Sequence, residues 1–213
     1  MGILNFLFGK PDAQFEKVSY VQYATDWKKC FNESQSDDVL ETIYNSIELP
    51  ERSTEDSSGY NFTIPFSFKL KLGESIVIPT GIRCKMGKKD FLMIVPRSGQ
   101  GFKYRLSLVN TAGIIDSDYY SANNEGHIMI KITYDGIPEK NYNLSTKRAH
   151  KVLKNNEVSI FLEGSSLDSI IPAEIKFEAG KGFAQGILLR YRIAKEKKIT
   201  QKRVGGFGST DKQ

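Results

Sequence analysis

The chain has 213 residues, of which 39% are hydrophobic and 26% are charged, and its formal net charge is +5. This length is enough for one domain with a substantial buried core. The mild positive charge suits an anionic ligand such as a phosphate but, without a clustered basic patch, predicts no nucleic-acid partner.

The chain starts with an apolar stretch, MGILNFLFG, which is too short to span a bilayer and has no signal-peptide cleavage pattern. A myristoylation motif would need Ser or Thr where Phe6 stands, so we predict an apolar arm and no membrane association. The two cysteines, Cys30 and Cys84, match no zinc or disulfide spacing, which favours a reducing cytosol and a cytoplasmic protein.

One segment near the N-terminus has a helical pattern. Asp37 and Asp38 suit the positive end of a helix dipole, and Pro50 would stop the helix. Between them, one helical face would contain Val39, Leu40, Ile43 and Ile47. The remainder of the region from 14 to 46 reads partly as polar loop.

Most of the rest predicts short strands. The stretch FTIPFSFKLKL alternates as a single half-buried strand would, with one apolar face made by Phe62, Ile64, Phe66, Phe68 and Leu70. Further strands are expected in ESIVIPTGIRCKM, DFLMIVP, RLSLVN, GHIMIKITY, EVSIFLEG, AEIKFEAG and AQGILLRYRI. Many short strands without alternating helices indicate an all-β sandwich, jelly roll or closed barrel.

We expect three parts along the chain. Residues 1–46 form an extension with a short helical insertion that packs on the core, and residues 47–194 form the β domain, with an insertion at about 136–170. Residues 195–213 form a basic and then Gly-rich tail, expected to be mobile without a ligand and to close over the active site when one binds.

Potential site residues cluster in VPRSGQGFKYRLSLVNTAGIIDSDYY. Arg97, Ser98 and Gly99 offer a charge, a hydroxyl and backbone N–H groups, while Asn110 has an amide that could read the edge of a base. Asp116 could accept a proton from water, or it could simply end its strand as a turn residue.

The C-terminal stretch KRVGGFGSTDKQ also contains groups that could contact a ligand. Its glycines allow a close backbone approach to a ligand, Phe207 offers a face to a base, and Ser209 and Thr210 offer hydroxyls to phosphate oxygens. The alternative is a plain flexible Gly/Ser tail. The chain contains no Walker phosphate loop.

Five patterns together resemble the trimeric, all-β dUTPase family. In the order of that family they are LPERSTEDSSGYNF, PRSGQG, NTAGIIDSDYY, EAGKGFAQGIL and RVGGFGST, and the third and fifth are the most specific. The resemblance covers residues 47–134 and 174–210. It implies a jelly-roll-like barrel, a homotrimer with active sites shared between subunits, and hydrolysis of dUTP to dUMP and pyrophosphate with Mg²⁺ on the triphosphate.

The resemblance also implies roles for residues of the third pattern. Asp116 would be the base that activates the water attacking the α-phosphorus, and Tyr119 would pack on the deoxyribose and leave no room for a 2′-hydroxyl. Uracil would be hydrogen-bonded by Asn110 and by the backbone of the following hairpin, at Gly113 and Ile115.

The other patterns would hold the triphosphate. Ser98, flanked by Arg97 and Gly99, would hold the phosphates, and Gln185 would contact the phosphate chain. From the tail, the residues that would close over uracil or bind the γ-phosphate are Arg203, Phe207, Gly208, Ser209 and Thr210.

Three departures from the family's patterns stand out. Asn61 replaces an aspartate that supports the metal's water shell, so Mg²⁺ would be held indirectly, through substrate phosphates and water near Asn61. Gly180-Lys181-Gly182 replaces Gly-Asp-Arg, and five extra residues, SANNE, follow Tyr120. The extension and the 136–170 insertion have no counterpart in short members of the family. Viral or phage relatives use such additions to bind a protein partner. A viral member would act in the host cytosol, whereas a eukaryotic member could also be nuclear.

Two alternatives to the diphosphatase remain. One is a catalytically weakened dUTP-binding protein that regulates a partner, which Asn61 and the insertions suggest. The other is a dCTP deaminase, which would need a glutamate where Asp116 stands. His127 and His150 receive no metal role because no ligand-spaced partners surround them, and Trp27 is expected to anchor a satellite core.

Overall fold

The computed structural model describes residues 13–31, 35–135, 149–154, 157–162 and 174–195. Most of these residues lie in short antiparallel strands, in agreement with the predicted all-β, jelly-roll-like class. The predicted tail from 196 onward, most of the 136–170 insertion and the apolar arm at 1–12 lie outside the described residues.

The largest sheet has five strands in the order β2-β3-β14-β7-β9. In chain order these are β2 (Glu51–Arg52), β3 (Gly59–Thr63), β7 (Asp90–Pro96), β9 (Gly113–Asp116) and β14 (Gly182–Arg190). Strand β7 is buried at every second residue, as a strand with one core face should be. The predicted strand DFLMIVP is therefore confirmed.

A second sheet of three strands has the order β5-β10-β8. Two-stranded pairs complete the described part of the fold: β1 with β6, β4 with β13, and β11 with β12. The bounds of these strands are β1 (Ala13–Lys17), β4 (Phe68–Lys71), β5 (Ser75–Pro79), β6 (Ile82–Met86), β8 (Leu106–Leu108), β10 (Met129–Tyr134), β11 (Ala149–Lys154), β12 (Glu157–Leu162) and β13 (Glu174–Phe177).

Two predicted strands are each split in two. FTIPFSFKLKL is interrupted between Thr63 and Phe68, because Pro65 has no N–H to donate to a sheet ladder. Its apolar positions nevertheless face the core, with Ile64 and Leu70 buried. ESIVIPTGIRCKM is broken at Gly81, which has a φ of +73° and starts a new strand in another sheet.

The predicted hairpin around the third pattern is also wrong in its pairing. Strand β9 pairs with β7 in the five-stranded sheet, whereas β10 pairs with β5 and β8 in the other sheet. Residues 117–128, which we call the β9–β10 connection, therefore cross between sheets and start with a 3-10 turn, Ser117–Ser121. The inserted SANNE residues lie in this connection.

The structure has three α-helices in its described part. The predicted one is confirmed as α2 (Asp37–Ser46), with Leu40 buried. A preceding helix, α1 (Tyr20–Cys30), was missed because its β-branched and aromatic residues are weak helix formers. The third, α3 (Ser98–Tyr104), begins within the PRSG stretch.

Helix α1 is stabilised by packing and by its cap. The Ser19 hydroxyl accepts a hydrogen bond from the N–H of Gln22 at 3.1 Å, which satisfies one of the unpaired donors of the first turn. Tyr23 and Trp27 are buried, and the Trp27 ring lies 4.7 Å, between centroids, from both Phe31 and Phe66. Trp27 is thus an aromatic anchor, as predicted, and joins the extension to the β domain.

Gly126 is required by the β9–β10 connection in two ways. Its φ is +71°, and a Cβ there would lie 2.7 Å from both the carbonyl oxygen of Tyr119 and the Cα of Tyr120. Gly73 offers a matched comparison, since its φ is +84° but a Cβ would meet nothing within 4 Å.

We expect Gly126→Ala to destabilise the protein more than Gly73→Ala does. Both variants incur the cost of a left-handed alanine, about 1–2 kcal/mol. Only Gly126→Ala also forces the backbone apart, at roughly 1–3 kcal/mol more. Urea unfolding of the two variants beside the wild type measures the difference, and equal free energies of unfolding would contradict the close packing at Gly126.

Candidate functional site

The PRSG residues follow the last residue of strand β7. The N–H of Arg97 donates to the carbonyl of Phe183 at 3.1 Å, which fixes this corner to strand β14. Helix α3 begins at Ser98, and the N–H groups of Gln100 and Gly101 fold back onto the carbonyl of Arg97. Ser98 and Gly99 are exposed there, so their hydroxyl and backbone groups are accessible to an anionic ligand.

Gln185 and Asn61 lie in the same corner of the five-stranded sheet. They face each other in register on β14 and β3, and Gln185 is also paired with Val95 of β7. A Cβ on Gly59 would lie 2.6 Å from the Gln185 amide oxygen, so the Gln185 side chain rests directly on that glycine. A second glycine, Gly182, similarly makes room for the guanidinium of Arg97.

The candidate phosphate contacts of the described residues are thus assembled by the fold. Arg97, Ser98 and Gln185 come from segments far apart in sequence and meet where β7 and β14 are paired. Asn61 donates from Nδ2 to the Ser53 hydroxyl at 2.7 Å and to the Glu51 carbonyl at 3.3 Å. A metal-bound water would therefore have to bond to its Oδ1 atom.

Three other predicted residues line one cavity. Asn110, Gly113 and Ile115 contribute to a space of about 270 Å³, close to the lower end of the roughly 300–1,000 Å³ typical of small-molecule sites. The remaining walls are largely aliphatic, formed by Val77, Ile94, Leu108, Val109, Ile128, Met129, Ile130 and the side chain of Lys131. A flat, largely apolar ring with polar edges would suit such a cavity, with the Asn110 amide available to its edge.

Asp116 lies beside one end of strand β7, and the phosphate corner, by which we mean Arg97, Ser98 and Gln185, lies at the other end. It is paired in register with Phe91, whereas Arg97 follows Pro96. At a rise of about 3.3 Å per residue, Phe91 and Pro96 are separated by roughly 17 Å along the strand. A single chain therefore brings Arg97, Ser98, Gln185 and Asn61 together but does not bring Asp116 to them.

Tyr119 is 4% exposed and belongs to the core. Its hydroxyl donates to the backbone carbonyl of His127 at 2.9 Å and accepts from the side-chain amide of Asn124 at 2.7 Å. A ligand would meet only a small part of this ring, so its contact with a sugar stays a prediction. The predicted tail residues Arg203, Phe207, Gly208, Ser209 and Thr210 lie outside the described residues.

The candidate site residues form no preformed metal centre in the part of the chain that the structure describes. No group of three or more His, Cys, Asp or Glu side chains there could hold an ion. Mg²⁺ can be held by substrate phosphates and water with few protein ligands, so the predicted ion needs no such group. Among the same residues, no helix is long and apolar enough to cross a membrane.

A buried polar pair next to the site was missed by sequence reasoning. His127 is fully buried, and its Nδ1 lies 2.9 Å from Oδ2 of Asp26 on helix α1. The N–H of Gly81 donates to Nε2 of His127 at 2.8 Å, so we assign the imidazole as neutral with its proton on Nδ1. Asp26 and His127 are 101 positions apart, a separation that leaves no local pattern to predict this contact.

The surroundings of Asp26 keep it charged. Burial alone would raise the pKa of this carboxyl, but hydrogen bonds from His127, Lys29 and Gln22 together outweigh it and lower the pKa to about 2. The helix therefore presents an ionised acceptor to His127 across the neutral pH range.

A second set of contacts joins the start of the chain to the β9–β10 connection. The Ser19 N–H and hydroxyl donate to the Glu125 carboxylate at 2.8 and 2.7 Å. The Tyr120 hydroxyl donates to Glu16 at 2.8 Å, and this bond is the main cause that lowers the pKa of Glu16, assisted by Arg83. The SANNE insertion and the N-terminal extension are thus in direct hydrogen-bonding contact.

Comparisons with known proteins agree on one family. A sequence model of the dUTPase family matches residues 45–138. The deoxyuridine 5'-triphosphate nucleotidohydrolase of Lactococcus lactis is 29% identical over 167 residues, which cover 77% of this chain and 88% of the relative. The enzyme of the same name from Fusobacterium nucleatum is 30% identical over 135 residues, covering 62% and 88% respectively.

Solved structures of dUTPases share the fold. That of Streptococcus mutans superposes with a TM-score of 0.52 at 21% identity and covers 85% of this chain and 98% of its own. That of phage phi11 of S. aureus, in which a species-specific insert was visualised, superposes with a TM-score of 0.51 at 19% identity and covers 92% and 98%. The predicted jelly-roll-like fold is therefore confirmed.

The lowered pKa of Asp26 predicts a pH-dependent stability. Its contribution should be complete above the unfolded pKa of about 3.9 and should be lost as the pH falls toward 2, because protonation then occurs in the folded state as well. We expect Asp26→Asn to lower the free energy of unfolding by about 2 kcal/mol at pH 6 and by much less at pH 2.5. Urea titrations at both pH values test this, and a pH-independent difference would contradict it.

Proposed function

Since this chain belongs to the dUTPase family, we propose that it is a dUTP diphosphatase that hydrolyses dUTP to dUMP and pyrophosphate. The observation that supports this most directly is the position of Asp116 at the end of strand β9, one residue beyond a cavity lined by Asn110, Gly113 and Ile115. A base and a cavity for a planar ring on the same strand suit a reaction on a nucleotide.

In this proposal the cavity holds the uracil. The Asn110 amide and the backbone at Gly113 and Ile115 hydrogen-bond its polar edge, while the aliphatic walls exclude water. Tyr119 packs on the deoxyribose. Asp116 accepts the proton of the water that attacks the α-phosphorus.

In the same proposal, the triphosphate lies against the residues at the end of strand β7 and on β14. Arg97 supplies charge, Ser98 and Gly99 supply hydrogen-bond donors, and Gln185 contacts the phosphate chain. The tail residues Arg203, Phe207, Gly208, Ser209 and Thr210 complete the site over the base and the γ-phosphate. Asn61 would hold Mg²⁺ indirectly, through water, and the ion would neutralise charge on the phosphates.

The separation along strand β7 supports an oligomeric enzyme. Asp116 and Arg97 of one chain stand at opposite ends of this strand, so a substrate that contacts both kinds of residue must lie between copies. We therefore propose a homotrimer with shared active sites, as the family resemblance implies. Both cysteines are free thiols, which supports a reducing compartment such as the cytoplasm.

A second candidate is a weakened relative that binds dUTP and regulates a protein partner. Asn61 favours it, because an amide replaces the charged group expected to support the metal's water shell. The lesser alternative, a dCTP deaminase, is disfavoured by Asp116, since a glutamate base would be expected there. Release of pyrophosphate from dUTP, with little from dCTP, dTTP or UTP, distinguishes the diphosphatase from both.

We expect Asp116→Asn to lower the rate of pyrophosphate release from dUTP by about 10²–10⁴-fold, the contribution typical of a general base. The matched control is Asp118→Asn, which removes an exposed carboxylate two positions away and should leave the rate within about twofold. Full activity of the Asp116→Asn enzyme would show that another group deprotonates the water.

The Asn61→Asp substitution tests the metal contact. A charged acceptor forms a stronger hydrogen bond, by about 1 kcal/mol, so half-maximal activity should require several-fold less Mg²⁺. Asn61→Ala, which removes the oxygen altogether, should require more. Tight dUTP binding with negligible turnover in the wild type, unchanged by Asn61→Asp, would instead favour the regulatory protein.

A further inference from the structure

The N-terminal segment (residues 13–31) is connected to Tyr119 by a chain of contacts, two hydrogen bonds that are joined through the covalent structure of His127. Asp26 accepts from His127 Nδ1 at 2.9 Å. The backbone carbonyl of the same histidine accepts from the Tyr119 hydroxyl at 2.9 Å. Because each member of this chain is buried, a change at Asp26 has few ways to be absorbed by solvent.

His127 makes two further hydrogen bonds. The N–H of Gly81 donates to its Nε2 at 2.8 Å, and its own N–H donates to the carbonyl of Asn124 at 3.0 Å. Asn124 in turn donates to the Tyr119 hydroxyl at 2.7 Å. His127 and Asn124 thus bind the same hydroxyl from two directions, which leaves the Tyr119 ring one well-defined position.

Among the described residues, the hydrogen bond to His127 is the bond of Asp26 that leaves its own helix. Its other bonds go to Gln22 and Lys29 of its own helix, at 2.7 and 2.9 Å. These bonds orient the carboxylate, and helix α1 is itself anchored on the β9–β10 connection by the two bonds from Ser19 to Glu125. The N-terminal segment is therefore attached to the region around Tyr119 at several points.

We infer that Asp26 is a positioning residue of the nucleotide site, which acts through His127 to hold Tyr119 where it excludes a 2′-hydroxyl. This inference rests on the proposed function, because it concerns discrimination between dUTP and UTP. It makes the N-terminal segment a determinant of sugar specificity, although none of its residues belongs to the patterns that resemble the family.

A purely structural role would have a different consequence. If Asp26 only stabilised the fold, its loss would lower the amount of folded enzyme, and dUTP and UTP would be affected equally. If it positions Tyr119, the ratio of kcat/KM for dUTP to that for UTP falls. The KM for dUTP then rises more than kcat falls, because the base and the phosphate contacts are untouched.

The test is pyrophosphate release from dUTP and UTP by the full-length protein and two variants. Asp26→Ala should lower the dUTP-to-UTP selectivity by about tenfold, within the roughly 100-fold that a 1 Å misplacement can cost. Trp27→Leu is the matched control, because it weakens the neighbouring aromatic packing with Phe31 and Phe66 while leaving every hydrogen bond of Asp26. It should lower the urea midpoint but keep the selectivity within about twofold.

A double-mutant cycle adds a second readout. Tyr119→Phe removes the hydroxyl at the other end of the hydrogen-bond chain, so combining it with Asp26→Ala should lose little more selectivity than either change alone. Should Asp26→Ala fail to fold, Asp26→Asn replaces it in the cycle. It keeps an acceptor oxygen and should retain part of the selectivity.

The outcomes separate the two levels of the proposal. Unchanged selectivity in the Asp26 variants, equal losses in the Trp27 variant, or strict additivity in the cycle would each overturn the positioning role while leaving the diphosphatase intact. A wild type that releases no pyrophosphate from dUTP would overturn the proposed function itself, and the specificity role with it.

Discussion

Strand β7 (Asp90–Pro96) is hydrogen-bonded on both sides, to β14 and to β9, and the candidate site depends on this double pairing. One end of the strand delivers Arg97 to the corner where Gln185 lies, and the other end pairs with Asp116. The register of one strand therefore sets both which candidate phosphate contacts lie together and how far they are from Asp116. The proposed assembly of several copies rests on this arrangement, because Asp116 and Arg97 of one chain stand at opposite ends of the strand.

The N-terminal segment and the inserted connection are two additions that form one structural unit. Glu125 lies in the insertion and binds Ser19, while Tyr120, immediately before the insertion, binds Glu16. Each addition thus supplies hydrogen-bond partners to the other, at positions that are exposed or partly buried. The two departures from the short family members therefore contact each other close to Tyr119.

Much of the fold could be predicted from sequence, because local patterns such as the alternation in DFLMIVP and the acids before α2 determine it. The roles of the run from Asn110 to Tyr119 come from the resemblance to the family and stay predictions. Helix α1 was missed because tertiary packing of Trp27 overrides weak propensities. The Asp26–His127 pair was missed because partners so far apart in sequence leave no periodic trace.

The contacts of the N-terminal segment also have a consequence for how the protein folds. They join residues 101, 104 and 106 positions apart, whereas the pairs of β9 with β7 and of β10 with β8, which surround the cavity, join residues fewer than 30 positions apart. Longer loops must be closed before the contacts of the N-terminal segment can form, which delays them relative to these strand pairs. The strands around the cavity can therefore pair before Tyr119 is fixed, and the proposed discrimination between sugars would be acquired late, after the cavity already exists.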